Sequence, residues 1–463
     1  MGWRQADTMA IARNFVERPS GLLWPRIDWG GAGPGFVEAE LQLVPYLIAT
    51  ASRVFGLVEW TGQLLSLVLM TCTGALLVAF LQKRFGRGPA LLGLGAWLAN
   101  QGVVFAATAV QPDTLSLFLS LVAVVSFVSY LDHARTRDLM VAGAATALAA
   151  LIKPTALQLG VVELVLVVLG QPRLLRTFRL WIVWVLVIAS VALLLLHARQ
   201  LYLAYGNTFG ILSGGDRKTP RIDQLLHPKL YLTAAVNSLN WGIGWVGAAA
   251  GAWLLLRRRL ERLEWALLCG SAVLVLVTLR YATNYNFASH YHLPTTLLGA
   301  VLVAHAASLL PTWFRSSVAA TCAVALLGLL YVRSERKHRT EIIEAENDDV
   351  VRIGRVLASK VSPGELVVVR SNADAWESWW RTTNNFEDPR VFYIAHTRGW
   401  VLSADNLEGG GVLKPAIEQG ARWYVEAGAH IPRPDFDRDI EASGKLVHDD
   451  PSVGRIWRLN AQR

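Results

Sequence analysis

Charged residues are scarce in this chain. Asp, Glu, Lys and Arg together make up 17% of the 463 residues, whereas apolar residues make up 53%. Soluble globular domains carry about 25% charged residues. The runs 61–81, 114–131, 180–196 and 318–332 are nearly free of charge, and each approaches the roughly 20 residues that a helix needs to cross a bilayer. The shortage of charge excludes a soluble globular protein and predicts a polytopic α-helical membrane protein.

Other absences exclude whole classes of site. The three cysteines, Cys72, Cys269 and Cys322, lie inside apolar runs without the spacing of metal ligands, so neither a disulfide framework nor a zinc-finger site is expected. Gly-rich phosphate loops, nucleophile elbows and paired-histidine metal motifs are missing. Residues 1–40 lack the charged start and apolar core of a signal peptide. The net charge of +9 comes from basic residues in short loops, which indicates membrane topology rather than a nucleic-acid partner.

The apolar segments predict about ten spans. We expect them at 61–81, 89–110, 114–131, 139–152, 156–170, 180–197, 232–256, 265–279, 293–310 and 316–333. Basic residues fall in alternate connections, after the first, third, fifth, seventh and ninth spans: Lys83, Arg84, Arg87, Arg135, Arg137, Arg173, Arg176, Arg179, Arg257, Arg258, Arg259, Arg262 and Arg315. Because basic loops stay in the cytoplasm, these connections are predicted to be cytoplasmic.

The two short segments 139–152 and 156–170 are the weak point of this topology, because a single broken helix there would invert everything after it. The basic loops on both sides favour two crossings. The other connections, the opening segment and the C-terminal region are then all outside.

Three domains follow from these patterns. Residues 1–60 form an outer loop that contains an interfacial helix at 41–55, and 61–333 form the transmembrane domain. From about 334 the charge rises, and residues 334–463 are predicted to be a soluble extracytoplasmic α/β domain. We expect strands at Glu365–Val369, Val391–Ile394, Trp423–Val425 and Arg455–Leu459, with helices at Asp348–Lys360 and Leu413–Gln419.

The opening segment concentrates polar chemistry. Asp7 is flanked by Arg4 and Gln5, and a carboxylate held among donors is a candidate general base. Arg13 follows two helical turns later. Asp28, Glu38 and Glu40 add carboxylates to the same loop, and for at least half of them the simpler interpretation is a solvated group or a partner of Arg26.

Asp113 and Lys153 share the predicted outer face with Asp7. Pro112 is expected to start a helix with Asp113 in its first turn. Asp113 is either a helix-terminal carboxylate at the membrane surface or one that supports a metal or an acceptor. Lys153 interrupts an apolar run; it either snorkels to the surface or binds a phosphate.

The outer segment 280–292 ends in His290, Tyr291 and His292, which form either an interfacial aromatic belt or a contact to substrate. The outer loop 198–231 is basic against the usual bias. Its cations, Arg217, Lys218, Arg221 and Lys229, suit an anionic lipid substrate or membrane head groups equally well.

These motifs resemble a known family. Gly2-Trp-Arg-Gln-Ala-Asp-Thr8, Ile11-Ala-Arg-Asn-Phe15, Ile27-Asp-Trp-Gly-Gly31 and Gly33-Pro-Gly-Phe-Val-Glu-Ala-Glu40 are similar to the opening of bacterial family 39-like glycosyltransferases of the GT-C superfamily. Gln111-Pro-Asp113, Leu151-Ile-Lys-Pro154 and His290-Tyr-His-Leu-Pro294 extend the resemblance through residues 2–310. The family includes protein mannosyltransferases and the aminoarabinose transferase that modifies lipid A.

The resemblance implies transfer of a hexose or pentose, with inversion, from a polyprenyl-phosphate donor to a glycan, lipid or protein acceptor. It places the reaction at the outer face of the cytoplasmic (inner) membrane. It maps the catalytic acid/base onto Asp7, a second outer-loop carboxylate onto Asp113 and the lysine that ends a short span onto Lys153. The candidate substrate contacts are Arg4, Gln5, Glu40, Asp113, Lys153, His290, Tyr291 and His292. A divalent cation, Mg²⁺ or Mn²⁺, is not required, and Asp7 and Asp113 are its candidate ligands.

Two departures from the family pattern are visible. The chain begins one residue before the motif, so the span that precedes the catalytic loop in the family is expected upstream of Met1 or is lost. The family's Pro-Leu-Tyr is replaced near Gln42-Leu-Val-Pro45. The alternatives are a transporter or flippase of lipid-linked sugars, which predicts polar residues in mid-span, and a degenerate, non-catalytic membrane protein.

Overall fold

The fold is described from a computed structural model. It covers residues 2–56, 59–213, 222–279, 289–310, 317–371, 376–377, 382–383, 388–402, 413–430 and 432–460. Contact clustering divides the chain into two compact units. Unit 1 comprises Met1–Thr61, Ala198–Arg217 and Arg339–Arg463, and unit 2 comprises Gly62–His197 and Lys218–His338. The predicted domains 1–60 and 334–463 therefore fall mainly in unit 1, and 61–333 falls mainly in unit 2.

Helices dominate the chain. In chain order they are α1 (Trp3–Glu17), α2 (Leu43–Phe55), α3 (Glu59–Phe85), α4 (Arg87–Leu98), α5 (Gln101–Thr108), α6 (Asp113–His133), α7 (Thr136–Ile152), α8 (Gln158–Gly170), α9 (Phe178–Tyr205), α10 (Ile222–Leu225), α11 (Pro228–Asn237), α12 (Trp245–Leu256), α13 (Arg262–Thr278), α14 (Thr296–Leu309), α15 (Ser317–Glu346), α16 (Asp349–Ala358), α17 (Arg390–Ala395), α18 (Leu413–Glu418) and α19 (Pro434–Ser443). Short 3-10 helices occupy Pro154–Leu157, Pro172–Arg176 and Ser289–Thr295, and a π-helical turn occupies Ser238–Gly242.

The strands are short. They are β1 (Val37–Glu38), β2 (Asn207–Thr208), β3 (Leu366–Arg370), β4 (Trp376–Glu377), β5 (Thr382–Thr383), β6 (Arg398–Val401), β7 (Trp423–Ala427), β8 (Gly444–Asp450) and β9 (Gly454–Leu459). A five-stranded sheet has the order β6-β3-β7-β9-β8. Its first three strands are parallel, and β9 pairs antiparallel with both β7 and β8.

The chain is a multi-pass membrane protein. Four helical segments are long and apolar enough to cross a bilayer: Glu59–Phe85, Asp113–His133, Phe178–Tyr205 and His290–Leu309. Two further spans are bent pairs, α4 with α5 at 69° and Pro228–Gly242 with α12 at 104°. The count over the described residues is thus four to six, against about ten predicted. Helices do occupy the predicted spans at 139–152, 156–170 and 265–279, but α7, α8 and α13 have only 17, 13 and 17 residues.

Contacts within unit 2 link the loops after the first, third, fifth and seventh predicted spans. Arg84, after the first predicted span, bonds Glu261 at 2.8 Å, and Arg262, after the seventh, bonds Asp132 at 3.0 Å. The side chain of Gln171, after the fifth, donates to the carbonyl of Leu131, after the third. These loops therefore meet at one end of the bundle. Since α7 starts at that end and α8 ends at it, 139–152 and 156–170 form two separate helices, neither of which is among the four to six spans.

One carboxylate lies within the bundle. Glu163 of α8 is 3% exposed; its Oε1 accepts from Thr146 Oγ1 at 2.9 Å and its Oε2 from Trp184 Nε1 at 2.7 Å. Both donors belong to neighbouring helices, α7 and α9. The contacts hold three helices together through a group that is costly to bury without partners.

Replacing Trp184 by phenylalanine should remove one of these donors and keep an aromatic side chain. We expect the free energy of unfolding in detergent to fall by about 1–3 kcal/mol, because Oε2 is then buried without a hydrogen bond. Trp60→Phe is the control, since the indole of Trp60 is 49% exposed and makes no hydrogen bond to any described residue. Equal losses in the two variants would show that the Glu163 contact contributes nothing.

In unit 1, α1 packs against the sheet region. Ile11 and Phe15 belong to the same buried cluster as Ile353, Val367 and Phe392. The helix is thus held along one side by an apolar core, which fixes the orientation of its polar residues. The amphipathic pattern predicted for 41–55 is also present, because α2 buries Val44 and Ile48 and exposes Val54 and Phe55.

The prediction of strands was right at three of four positions. Leu366–Arg370, Trp423–Ala427 and Gly454–Leu459 are strands, shifted by one or two residues. The strand predicted at Val391–Ile394 is wrong, because these residues lie in α17. The Asp388 carboxylate accepts from the backbone N–H of Arg390 at 3.0 Å, and Pro389 precedes the helix. A capped start of this kind favours a helix over the β propensity of the apolar residues.

Candidate active site

Asp7 lies in the second turn of α1 and is 5% exposed. The indole Nε1 of Trp29 donates to its Oδ1 at 3.3 Å. Trp29 comes from the Gly- and Pro-rich loop that folds back over the helix, and its ring packs edge-on against Phe209 at 5.8 Å between centroids. The loop predicted from composition therefore supplies the group that orients the candidate base.

Arg4 lies one turn before Asp7 on α1. Its guanidinium bonds Glu40 Oε1 at 2.8 Å and lies 5.3 Å from the centroid of Phe209. Glu40 follows β1, which pairs with β2, so residues 207–208 are joined to this cluster by backbone hydrogen bonds. Gln5 is half-buried and makes no hydrogen bond within the described part of the chain. The structure thus brings Asp7, Arg4 and Glu40 together, with Trp29 and Phe209 as unpredicted aromatic neighbours.

The carboxylates of the loop are buried rather than solvated. Asp28 accepts from Arg13 at 2.7 Å, from Asn14 at 3.0 Å and from Arg18 at 3.3 Å, and is not the partner of Arg26. Asp28 therefore neutralises the basic face of α1. Arg13 is 5% exposed and also donates to the carbonyl of Tyr393 at 2.9 Å. Its role is to hold the helix.

Glu38, which the sequence identifies as a loop carboxylate without a site role, is completely buried. Its Oε1 accepts from the backbone N–H of Leu212 at 3.0 Å, while no described residue donates to its Oε2. The sequence contains a weak indication of this placement. Glu38 and Glu40 lie two residues apart, so their side chains are expected on the same face of an extended segment.

In unit 2, Asp113 and Lys153 form an ion pair, whereas the sequence pattern places them on one face without predicting this contact. Pro112 precedes α6, Asp113 is its first residue, and Lys153 lies at the break that ends α7. Lys153 Nζ is 3.0 Å from Asp113 Oδ1, and both side chains are 8% exposed. Lys153 therefore does not snorkel to the surface. It also lies 4.6 Å from the ring centroid of Tyr291.

The predicted histidines occupy different surroundings. His292 is 1% exposed, with Nδ1 at 3.1 Å from Ser238 Oγ. His290 stacks on Tyr291 at 4.4 Å and lines a small pocket together with Gln111, Asp113 and Trp241. The remainder of the predicted segment, 280–288, and the basic residues Arg217, Lys218 and Arg221 lie outside the described residues.

Burial and a neighbouring carboxylate also change the pKa of a tyrosine that contacts Arg13 of α1. Loss of solvent, reinforced by the negative charge of Glu59, raises the pKa of Tyr393 to about 12. Tyr393 is thus neutral at physiological pH, and its ring lies 5.1 Å from the guanidinium carbon of Arg13.

No group of three or more His, Cys, Asp or Glu suitable for a metal ion occurs among the residues that the structure describes. Asp7 has an indole donor and Asp113 an ammonium partner. Binding of Mg²⁺ or Mn²⁺ by these carboxylates stays a prediction.

Comparison with known proteins identifies the fold. A family model described as dolichyl-phosphate-mannose-protein mannosyltransferase matches residues 42–197. This range includes Asp113 and Lys153 but not Asp7, Arg4 or Glu40. A search of curated protein sequences found no match.

Two solved structures are similar over nearly the whole chain. ArnT from Cupriavidus metallidurans bound to undecaprenyl phosphate has 13% sequence identity and a TM-score of 0.65, with 98% of this chain and 93% of that chain covered. The archaeal oligosaccharyltransferase AglB from Archaeoglobus fulgidus, in complex with an inhibitory peptide and a dolichol-phosphate, has 12% identity and a TM-score of 0.54, with 99% and 70% covered. The chain is therefore a multi-pass membrane protein with the GT-C fold.

Proposed function

We propose that this protein is a membrane glycosyltransferase that uses a polyprenyl-phosphate-linked sugar as donor. The observation that carries the proposal is the buried carboxylate of Asp7, which Trp29 orients and an Arg4–Glu40 pair flanks. The GT-C fold, the matching family model, and the polyprenyl phosphates bound in the structures of ArnT and AglB support it. The acceptor is a glycan, lipid or protein at the outer face of the inner membrane.

The chemistry requires one base. The acceptor oxygen attacks the anomeric carbon as the bond from that carbon to the phosphate oxygen breaks, and the acceptor proton passes to Asp7. Displacement from the opposite side inverts the anomeric centre. Burial of Asp7 keeps bulk water away from the carboxylate, and the Trp29 indole fixes the position of one carboxylate oxygen.

The leaving group needs a cation and no general acid, because a phosphate already leaves as an anion. Arg4, on the same helix as Asp7, is the candidate cation of unit 1, and Lys153 is a candidate from the sequence alone. Each is paired with a carboxylate, Arg4 with Glu40 and Lys153 with Asp113, so each is held in place before a donor arrives. Preorganised charge of this kind stabilises a transition state more than mobile charge does.

The proposal is tested by the choice of donor. The purified protein, reconstituted into liposomes with membrane extract as acceptor, should transfer labelled sugar from a polyprenyl-phosphate donor and not from the corresponding nucleotide sugar. Hexose and pentose donors should be compared in parallel to identify the sugar. Transfer from the nucleotide sugar alone, after removal of all polyprenyl phosphate, would contradict the proposal.

The structure gives little support to the alternative function as a transporter. It calls for polar groups in mid-span, and Glu163 is such a group. Both oxygens of Glu163, however, accept from side chains of neighbouring helices, and Glu163 does not line the cavities described for unit 2. Its contacts are those of a group that joins helices.

A further inference from the structure

A groove on the side of unit 2 is not part of the chemistry proposed above. It has a volume of about 160 Å³ and is lined by residues of α4, α5, α12, α14 and α15 and of the π-helical turn. We call it the lateral groove. Trp245, at its edge, is 60% exposed, so the groove opens on a face whose surface is apolar.

Both bent helix pairs of the bundle break at the lateral groove. The break between α4 and α5 lies at Ala99 and Asn100, and the break before α12 lies at Ile243 and Gly244, all four of which line the groove. Asn100 joins the breaks: its Nδ2 donates to the carbonyl of Gly242 at 2.7 Å, and its Oδ1 accepts from Gly102 N at 2.8 Å. Interrupted helices at membrane depth are tolerated where they are buried or line a cavity that holds polar groups.

Two side chains that line the lateral groove, Gln101 and Arg333, have N–H groups without an acceptor among the described residues. The Nε2 of Gln101 is buried and makes no hydrogen bond to any described residue, while its Oε1 accepts from Lys337 Nζ at 3.2 Å. Arg333, one turn before Lys337 on α15, makes no ion pair or hydrogen bond with any described residue. The polar part of the groove therefore offers N–H groups and positive charge, and suits an anionic acceptor such as a phosphate.

The rest of the groove is apolar. Trp97, Ile243, Val246, Leu327 and Leu330 line it beside these donors. An apolar wall next to basic side chains and a buried amide donor matches an amphiphile that has an anionic head and a hydrocarbon chain.

The charge of α15 agrees with such a ligand. The run Arg333-Ser-Glu-Arg-Lys-His-Arg339 follows the apolar part of the helix and carries four Lys and Arg residues. The predicted topology places it outside, where an excess of positive charge is not expected. Anionic phospholipids attract basic residues next to a span.

We propose that the lateral groove is a binding site for an anionic phospholipid of the surrounding bilayer, with Arg333, Lys337 and Gln101 as contacts of its phosphate. The bilayer is favoured as the source because the groove opens sideways, beside the exposed Trp245 and the exposed Leu326 and Leu329 of α15. The inference is independent of the proposed sugar transfer.

Native mass spectrometry of the full chain tests it. The protein is purified in mild detergent from liposomes that contain equal amounts of phosphatidylglycerol and phosphatidylcholine, and the retained lipids are counted. The wild type should retain phosphatidylglycerol selectively. The double variant R333Q/K337Q should lose this selectivity by roughly 30-fold, as expected for two basic contacts at a membrane surface.

Arg336→Gln is the matched control, because it removes the same charge from the same helix at a residue that does not line the groove. The single variant Arg333→Gln, at an exposed position, keeps the test open if the double variant fails to fold, and should lose selectivity by roughly fivefold. Equal retention in the wild type, Arg333→Gln and the double variant would overturn the proposal. Displacement of phosphatidylglycerol by added undecaprenyl phosphate would overturn it too, since the groove would then be a donor site.

Discussion

Replacing Asp7 by asparagine is expected to lower the rate of sugar transfer by roughly 10²–10⁴, the usual contribution of a positioned general base. Asparagine has the same shape, and its amide oxygen can still accept from the Trp29 indole that lies 3.3 Å from Asp7 Oδ1. It cannot take a proton from the acceptor. The loss should therefore fall on kcat, with KM for the donor nearly unchanged.

The measurement is initial transfer rate in liposomes, with melting temperature in detergent as the check on folding. Glu17→Gln is the matched control, because Glu17 also lies on α1 but is exposed and pairs with His396 at 2.9 Å. It should retain the wild-type rate. An Asp7→Asn variant as active as Glu17→Gln would exclude Asp7 as the base and assign that role to another residue.

The second large effect is expected at the buried pair of unit 2. Replacing Lys153 by methionine leaves the Asp113 carboxylate buried without its ammonium partner, and breaking a buried pair from one side typically costs about 3–5 kcal/mol. Asp113→Asn should be costly for the same reason. The double variant Asp113→Asn/Lys153→Met should recover much of this loss, because no isolated charge remains.

A double-mutant cycle, with unfolding followed in detergent or in SDS mixtures, gives the coupling energy directly. The control is the pair of Arg262 and Asp132, which has a similar separation of 3.0 Å but side chains that are 34% and 41% exposed. Its loss should cost less than about 1 kcal/mol. Additive single effects at Asp113 and Lys153 would show that the two groups do not stabilise each other.

The sequence predicts that Asp113 and Lys153 share one face because charge distribution constrains topology, but it does not predict their ion pair. The residues are forty positions apart in an apolar region, and no local pattern connects them. The alternation of basic loops, however, requires both to lie at the end of the bundle opposite Arg84 and Arg262. Burial then favours pairing, since an isolated charge is too costly at this depth.

Contacts that depend on loop conformation cannot be predicted from the distribution of charge along the sequence. Whether Asp28 meets Arg26 or Arg13 depends on the path of residues 19–36 over α1, which is set by packing. The same holds for Trp29 and Phe209, whose sequence context looks like that of any interfacial aromatic residue. Hydrophobic periodicity also does not predict helix bends. The segments α4 and α5 together have the composition of one span, and only the capping contact of Asn100 separates them.

Asn100 also bears on the order in which the protein is made. Its amide nitrogen donates to the carbonyl of Gly242, a residue 142 positions later in the chain. The bent pair α4–α5 enters the membrane long before that partner has been synthesised. Until α11 and α12 follow, the Asn100 amide lacks this acceptor and must use water or another transient partner, because unsatisfied polar groups are costly in hydrocarbon. Final closure of this part of the bundle is thus a late step of biogenesis, completed only when the second broken helix arrives.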